Sequence, residues 1–403
     1  MQAKLANRAA VMERVGVVAA GIEANPLAKA VQLVSGLATP VAAMLRGAPP
    51  SSTFQVDVAA HLVRPTDVKA DVVAQLGATL DVRVTGMGPR LAFFHHGFGG
   101  KHECYTWAVE ALAEKGDYTV VDYQRTDPTS LGNNRLTQAV AWLPGWLFAP
   151  LQDPDGLLAK FLKLTSADEC AGKIVAVLND LMLCRTDEEI VEKAIKAELA
   201  AFPLLLEKLR ADGRLGAAAA AGTKGGGGGI IMVGHSRGGG VAARFFAQAK
   251  DLGLDVAGAF LLDPIDASLV KLGECTGVAC TGLRAMTPPP RDRVAVVGAQ
   301  VTSLFNPKRR NYACFLGARQ GAQKATPDQE RDALLPGTLH STFMDFDADS
   351  TNSAFDLVCN SPELLQNGVP LLPREAAAQN VRTRYGMWET QLGGLDLVGA
   401  GDE

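Results

Sequence analysis

The stretch Ile230-Ile231-Met232-Val233-Gly234-His235-Ser236-Arg237-Gly238-Gly239-Gly240 constrains the fold more than any other part of the chain. Its four apolar residues read as a short buried strand, and the alanine-rich Val241 to Lys250 reads as a helix. Between them one serine stands in a glycine-flanked turn. A chain that passes from strand to helix this tightly crowds its own backbone, so Gly234 and Gly238 are read as positions where a Cβ would clash. The predicted element is a Gly-x-Ser-x-Gly nucleophile elbow. It exposes the Ser236 hydroxyl at the carboxyl end of a sheet, with a helix amino terminus beneath it. The five-residue pattern recurs by chance, and the strand before it and helix after it give it meaning.

The rest of the chain supplies such a sheet. Phe54 to Val63 and Ala78 to Val84 alternate as a first hairpin would. Arg90 to His96, Tyr118 to Tyr123, Ile230 to Val233, Ala257 to Leu262 and Arg293 to Gly298 read as buried strands, with helical stretches such as Tyr105 to Lys115 between them. Apolar strands alternating with helices predict an α/β fold, a mostly parallel sheet covered on both faces. Roughly a hundred residues separate Tyr123 from Ile230, far more than a crossover needs. The expectation is a cap insertion over the catalytic edge at about 125–215. It is apolar at its start, where Trp142 and Trp146 fall, and helical from Asp187 to Arg210. Its aromatics read either as packing or as a lid contacting an apolar substrate. Residues 216–229, with five alanines and then five glycines in a row, read as a low-complexity spacer. They precede the strand, and no Gly-Lys-Ser/Thr closes the run, so a phosphate loop is excluded.

Before the linker at Arg46-Gly47-Ala48-Pro49-Pro50, residues 1–48 read as an N-terminal helical extension ahead of the main domain at 49–403. Packed helix, membrane-resting surface helix and remnant of a plastid transit segment all remain open. A hydrophobic content of 47% against 20% charged is ample for a core. The formal net charge of -4, with no Lys/Arg stripe, offers no footprint for nucleic acid. Seven scattered cysteines without a Cys-x-x-Cys argue against a structural zinc. Cys275 and Cys280 are near enough in sequence to pair, but reduced thiols are the favoured reading.

A serine hydroxyl needs a histidine to take its proton and a carboxylate to hold that histidine. With this elbow the chain order is serine, acid, histidine. Of the six histidines, only His340 lies well beyond Ser236, so elimination assigns the base. The acid is sought after the strand Ala257 to Leu262, in Asp263-Pro264-Ile265-Asp266. Asp263, at the strand's end, is favoured over Asp266, which could cap a following turn. The oxyanion hole is expected from the backbone N–H of Arg237 and that of Phe98, in the loop His95-His96-Gly97-Phe98-Gly99-Gly100. His96 is read as a brace for that loop rather than a metal ligand, since no second ligand is spaced to join it. No metal and no cofactor are expected.

With these residues in place, the chain resembles the chlorophyllases, plant and algal members of the alpha/beta-hydrolase fold, most closely a green-alga version. The motif Gly234-His235-Ser236-Arg237-Gly238-Gly239 has that family's form. So do His96-Gly97 followed by an aromatic, Leu262-Asp263-Pro264-Ile265-Asp266, and Leu339-His340-Ser341-Thr342-Phe343-Met344-Asp345. The likeness spans roughly 54–360 and is patchy between motifs. Trp142 and Trp146, the N-terminal helices and the tail after Cys359 have no clear counterpart, and Leu339 stands where plant members have Gly. The resemblance implies the triad Ser236, Asp263 and His340, and hydrolysis of chlorophyll to chlorophyllide and phytol. It also implies chloroplast residence, in the stroma or against the thylakoid. On it Phe98, Trp142 and Trp146 would contact the chlorophyll or another apolar ester. A lipase or carboxylesterase for other lipid esters is the alternative, and a noncatalytic pigment- or lipid-binding protein a third reading. Oligomeric state is not readable from the chain.

Overall fold

The computed structural model describes residues 49–65, 67–97, 102–114, 118–125, 188–215, 229–266, 275–301, 311–344 and 374–399. The chain divides into Met1–Ser51 and Ser52–Glu403, and the architecture below is that of the second unit. The expected N-terminal helices, the first part of the cap and most of the 216–229 spacer lie outside the described residues.

Eight strands form one sheet: β1 (Ser51–Asp57), β2 (Thr79–Thr85), β3 (Arg90–His95), β4 (Tyr118–Arg125), β5 (Ile230–His235), β6 (Val256–Leu262), β7 (Val294–Val301) and β8 (Leu334–Leu339). Their order is β1-β2-β4-β3-β5-β6-β7-β8. β2 runs antiparallel to β4, and from β4 through β8 every neighbouring pair is parallel. With the strand–turn–helix elbow on a central strand, this is the alpha/beta-hydrolase fold.

The central parallel strands β3, β5 and β6 are mostly apolar at consecutive positions because both faces are covered. Phe93, Met232, Ala259, Leu261 and Val296 face one cluster. Phe94, Ile231, Val233, Phe260 and Leu262 face the other. The first face packs against α1 (Lys69–Leu76), α3 (Glu188–Ala211), α4 (Arg237–Ala247), α5 (Val278–Ala285) and α6 (Asn311–Ala318). In α3 the buried residues Ile195, Leu199, Phe202, Leu206 and Leu209 recur at helical spacing. There Phe202 meets Phe93 with ring centroids 4.3 Å apart and Phe245 at 4.5 Å. The second face is covered by α2 (Thr106–Ala113) and α8 (Arg374–Gly399), which meets α7 (Pro327–Ala333) where that helix runs into β8. The Arg384 guanidinium donates to the carbonyls of Asp332, Ala333 and Leu334, and Arg90 pairs with Glu389 at 2.8 Å. The tail after Cys359 thus contributes a wall of the body, Tyr385 and Trp388 packing on Phe260.

Three expectations are corrected. The first strand ends at Asp57 instead of continuing to Val63. Asp57 Oδ1 accepts the Ala60 N–H at 2.8 Å, capping a helical turn at Val58–His61. Buried Val58 and Leu62 then sit at i, i+4 spacing, so no simple hairpin joins β1 and β2. Second, α4 opens at Arg237, four residues before the expected start, taking three glycines into its first turn. Third, Cys275 is bonded to Cys314 across 39 residues, with Cα atoms 4.9 Å apart, while Cys280 is a buried free thiol. Only the tertiary approach of α6 could reveal that pairing. Among the described residues no helix is long and apolar enough to cross a membrane.

Candidate active site

β5, β6 and β8 end at the same edge of the sheet, and each hands one polar side chain to a common point. Ser236 follows β5 with φ 56 and ψ -125, a conformation an L-residue adopts only under strain. Its neighbours leave no alternative. A Cβ on Gly234 would stand 2.2 Å from the Gly238 carbonyl oxygen, and one on Gly238 would stand 2.0 Å from the His95 carbonyl oxygen. The Ser236 N–H donates to Leu262 O at 2.9 Å and its carbonyl accepts the Ile265 N–H at 2.8 Å, so the elbow is bolted to the end of β6.

Asp263, after β6, also holds a positive φ of 38. Its N–H donates to Val297 O at 2.7 Å, and Oδ1 accepts the Ala299 N–H at 3.1 Å, which aims Oδ2 away from β7. There Oδ2 accepts the His340 Nδ1–H at 2.5 Å. His340 Nε2 lies 2.9 Å from Ser236 Oγ, placed to accept the hydroxyl proton. All three residues are buried. Asp266 takes no part in this chain. Its Oδ1 accepts the Ala279 N–H at 2.9 Å and its Oδ2 the Cys280 N–H at 2.7 Å, capping the start of α5, with Arg244 3.8 Å away. Burial pushes the Asp266 carboxyl above its ordinary range despite those donors.

Arg237 opens α4 directly after the serine. Phe98, Trp142 and Trp146 lie outside the described residues. The residues before Phe98 are anchored by a buried polar cluster that sequence reasoning missed. His96 Nε2 and His102 Nδ1 both donate to Asp122 Oδ2, at 2.8 and 2.6 Å. Arg83 straddles the same carboxylate with bonds of 2.8 and 3.0 Å. Burial alone would raise the Asp122 carboxyl, yet the hydrogen bonds from His102 and His96 and the Arg83 charge hold it far below the ordinary carboxylate range. His96 therefore does have companions, contrary to the expectation from spacing. Donor atoms of His96, His102 and Asp122 all lie within 4.8 Å of one another. A cation there would compete with a guanidinium already bidentate on the only carboxylate, so the group is accounted for as a brace. The signal available in the sequence was an ionisable pair, Arg83 and Asp122, at apolar strand positions, where an unpaired charge would be costly.

No protein-family model and no curated protein matches the chain. Among solved structures it is similar to a thermostable esterase from Pseudomonas putida ECU1011, at 12% identity, 86% of this chain, 84% of that chain and a TM-score of 0.39. It is also similar to a ferulic acid esterase from Streptomyces cinnamoneus, at 14% identity, 85% and 89% coverage and a TM-score of 0.41. A third is brefeldin A esterase, a bacterial homologue of human hormone sensitive lipase, at 14% identity, 86% and 78% coverage and a TM-score of 0.36. The strand order and the elbow, rather than these alignments, carry the fold assignment.

Proposed function

We propose that this chain is a serine hydrolase of carboxylic esters, and that its substrate is the phytyl ester of chlorophyll. The observation that carries the first part is the continuous hydrogen-bond chain Ser236–His340–Asp263 on a strained elbow. A serine held in that way has one evident use. His340 Nε2 takes the hydroxyl proton as Oγ bonds to the ester carbonyl carbon, and Asp263 steadies the resulting imidazolium. The developing oxyanion rests on backbone N–H groups, that of Arg237 and, from the sequence, that of Phe98. As the tetrahedral species collapses, His340 gives its proton to the departing alcohol oxygen and the ester C–O bond breaks. Water then adds to the acyl-enzyme through the same base, releasing the acid and restoring Ser236.

Support for the pigment ester is the family form of the four motifs around Ser236, Asp263, His340 and Gly97. On that reading the protein works in the chloroplast, in the stroma or against the thylakoid, with Phe98, Trp142 and Trp146 meeting the ring or the phytyl chain. Incubation with chlorophyll a, alongside a series of nitrophenyl esters, tests both levels. Chlorophyllide and phytol with wild type, falling about 10⁴-fold or more in Ser236→Ala, is the expected result. Nitrophenyl ester turnover without chlorophyllide would leave a lipase or carboxylesterase for other lipids. Pigment bound but never cleaved, with Ser236→Ala equivalent to wild type, would make it a noncatalytic binder. Deleting residues 1–47 should lower liposome co-sedimentation and spare hydrolysis of a soluble ester if that segment docks on membranes.

A further inference from the structure

We propose that His235, the residue between Gly234 and Ser236, is a positioning residue that acts with Tyr105. Together they tie the backbone of His340 to the loop at Gly97 through one hydrogen-bonded strut. The proposal rests on the ester-hydrolase reading of Ser236. His235 is wholly buried at the end of β5, with its side chain between His340, which follows β8, and Tyr105, which precedes α2.

Donor and acceptor roles along the strut are set without ambiguity. His235 Nε2 lies 3.0 Å from the His340 carbonyl oxygen. A carbonyl can only accept, so Nε2 carries the proton. Burial, with His340 adjacent, lowers the His235 pKa well below its ordinary value, so the ring is neutral and Nδ1 is an acceptor. Tyr105 Oη, 2.9 Å from Nδ1, must therefore donate to it. That leaves the Tyr105 oxygen to accept the Gly97 N–H, at 2.9 Å. The order is Gly97 N–H to Tyr105 Oη–H to His235 Nδ1, and His235 Nε2–H to the His340 carbonyl.

This strut reaches both sides of the reacting centre. At one end it holds the main chain of the base, 2.9 Å from Ser236 Oγ through His340 Nε2. At the other it holds Gly97, where a Cβ would come within 3.1 Å of Ser236 Cβ and 2.7 Å of Tyr105 Oη. The rings of His235 and His340 are 4.6 Å apart between centroids, and Tyr105 stacks on His96 at 5.1 Å. A protonated His235 would face the imidazolium that forms on His340. Its neutrality is part of the arrangement. Other groups around it are Phe343 at 5.7 Å between centroids and Tyr105, while the Asp263 carboxylate that holds His340 is engaged by His340 and Ala299.

The test combines kinetics with nitrogen NMR of the full chain. Tyr105→Phe and His235→Phe should each lower kcat about 10- to 100-fold, as sub-ångström displacement of a base and its oxyanion loop does, with KM nearly unchanged. His235→Gln keeps an N–H for the His340 carbonyl and should recover part of that loss. Phe315→Leu, in the α6 core, serves as the stability control: it should lower Tm and leave kcat alone. In wild type, His235 should show a protonated Nε2 and a bare Nδ1 throughout pH 5 to 8. A proton on Nδ1, titration of His235 within that range, kcat unchanged in Tyr105→Phe, or Gln no better than Phe at 235 would each overturn the strut. A wild type inert toward every ester would instead overturn the hydrolase reading, and the positioning role with it.

Discussion

Exchanging the two acids after β6 for their amides, one at a time, separates the carboxylate that serves the histidine from the one that serves a helix. In Asp263→Asn the amide oxygen would keep the Ala299 N–H that Oδ1 now accepts at 3.1 Å. The amide NH₂ would then face His340 Nδ1, where a carboxylate oxygen now sits at 2.5 Å. Two donors cannot share that contact, so the imidazole would move its proton to Nε2, the atom that must accept from Ser236 Oγ. Losing the base in this way costs about 10⁴-fold in kcat, about 5 kcal/mol of barrier. Asp266→Asn meets a different environment. Its carboxylate accepts two N–H groups at the start of α5, and the amide can accept only one of them. The orphaned donor costs about 1–3 kcal/mol of stability. The His340 geometry is untouched. The assay is kcat and KM on a nitrophenyl ester, paired with denaturant unfolding of each variant. Asp263→Asn should unfold near wild type and turn over at about one part in ten thousand; Asp266→Asn should do the opposite. A four-decade loss in Asp266→Asn, with Asp263→Asn active, would refute the assignment of the acid and the tautomer argument beneath it.

Gly238→Ala should abolish activity and cost about 3 kcal/mol or more of stability, since its Cβ would sit 2.0 Å from a main-chain oxygen that cannot swing away; a fully active, stable variant would mean the elbow relaxes. Burial holds the His95 pKa near 4, and it stacks on Phe245 at 5.0 Å. The unfolded chain therefore binds a proton that the native one refuses, and stability should fall as pH drops from about 6.5 toward 4, by about 3 kcal/mol from this residue. His95→Phe should make that slope shallower in urea titrations at pH 7, 6 and 5, the remainder coming from buried His96 and His235, and an unchanged slope would assign it elsewhere. Cys314→Ser opens a loop of about 40 residues and should cost up to about 4 kcal/mol, checked by unfolding with and without reductant; mass spectrometry finding both thiols free would refute the bond.

The parts of this protein legible in the sequence are those set by neighbours along the chain. An elbow is a steric statement about five consecutive residues, so Gly234, Ser236 and Gly238 announce it without reference to the rest. Strands buried on both faces carry runs of consecutive apolar residues, which is why β3 through β7 could be placed from those runs. Chain order left no histidine but His340 well beyond Ser236, and the end of β6 offered Asp263; the structure brings these side chains within hydrogen-bonding reach of one another. What local pattern could not decide were contacts closed over long separations. Asp263 and Asp266 differ only in what faces them: a histidine 77 residues on for the first, the start of α5 for the second. The partnership of Tyr105 with His235 spans 130 residues, and the Asp122 carboxylate draws donors from Arg83, His96 and His102. Cys275 finds Cys314, and α8 finds the sheet, by the same means. Residue types and backbone sterics determined that a serine would be presented here. Only the packing of distant segments decided which acid meets His340 and which buried side chains lie around the pair.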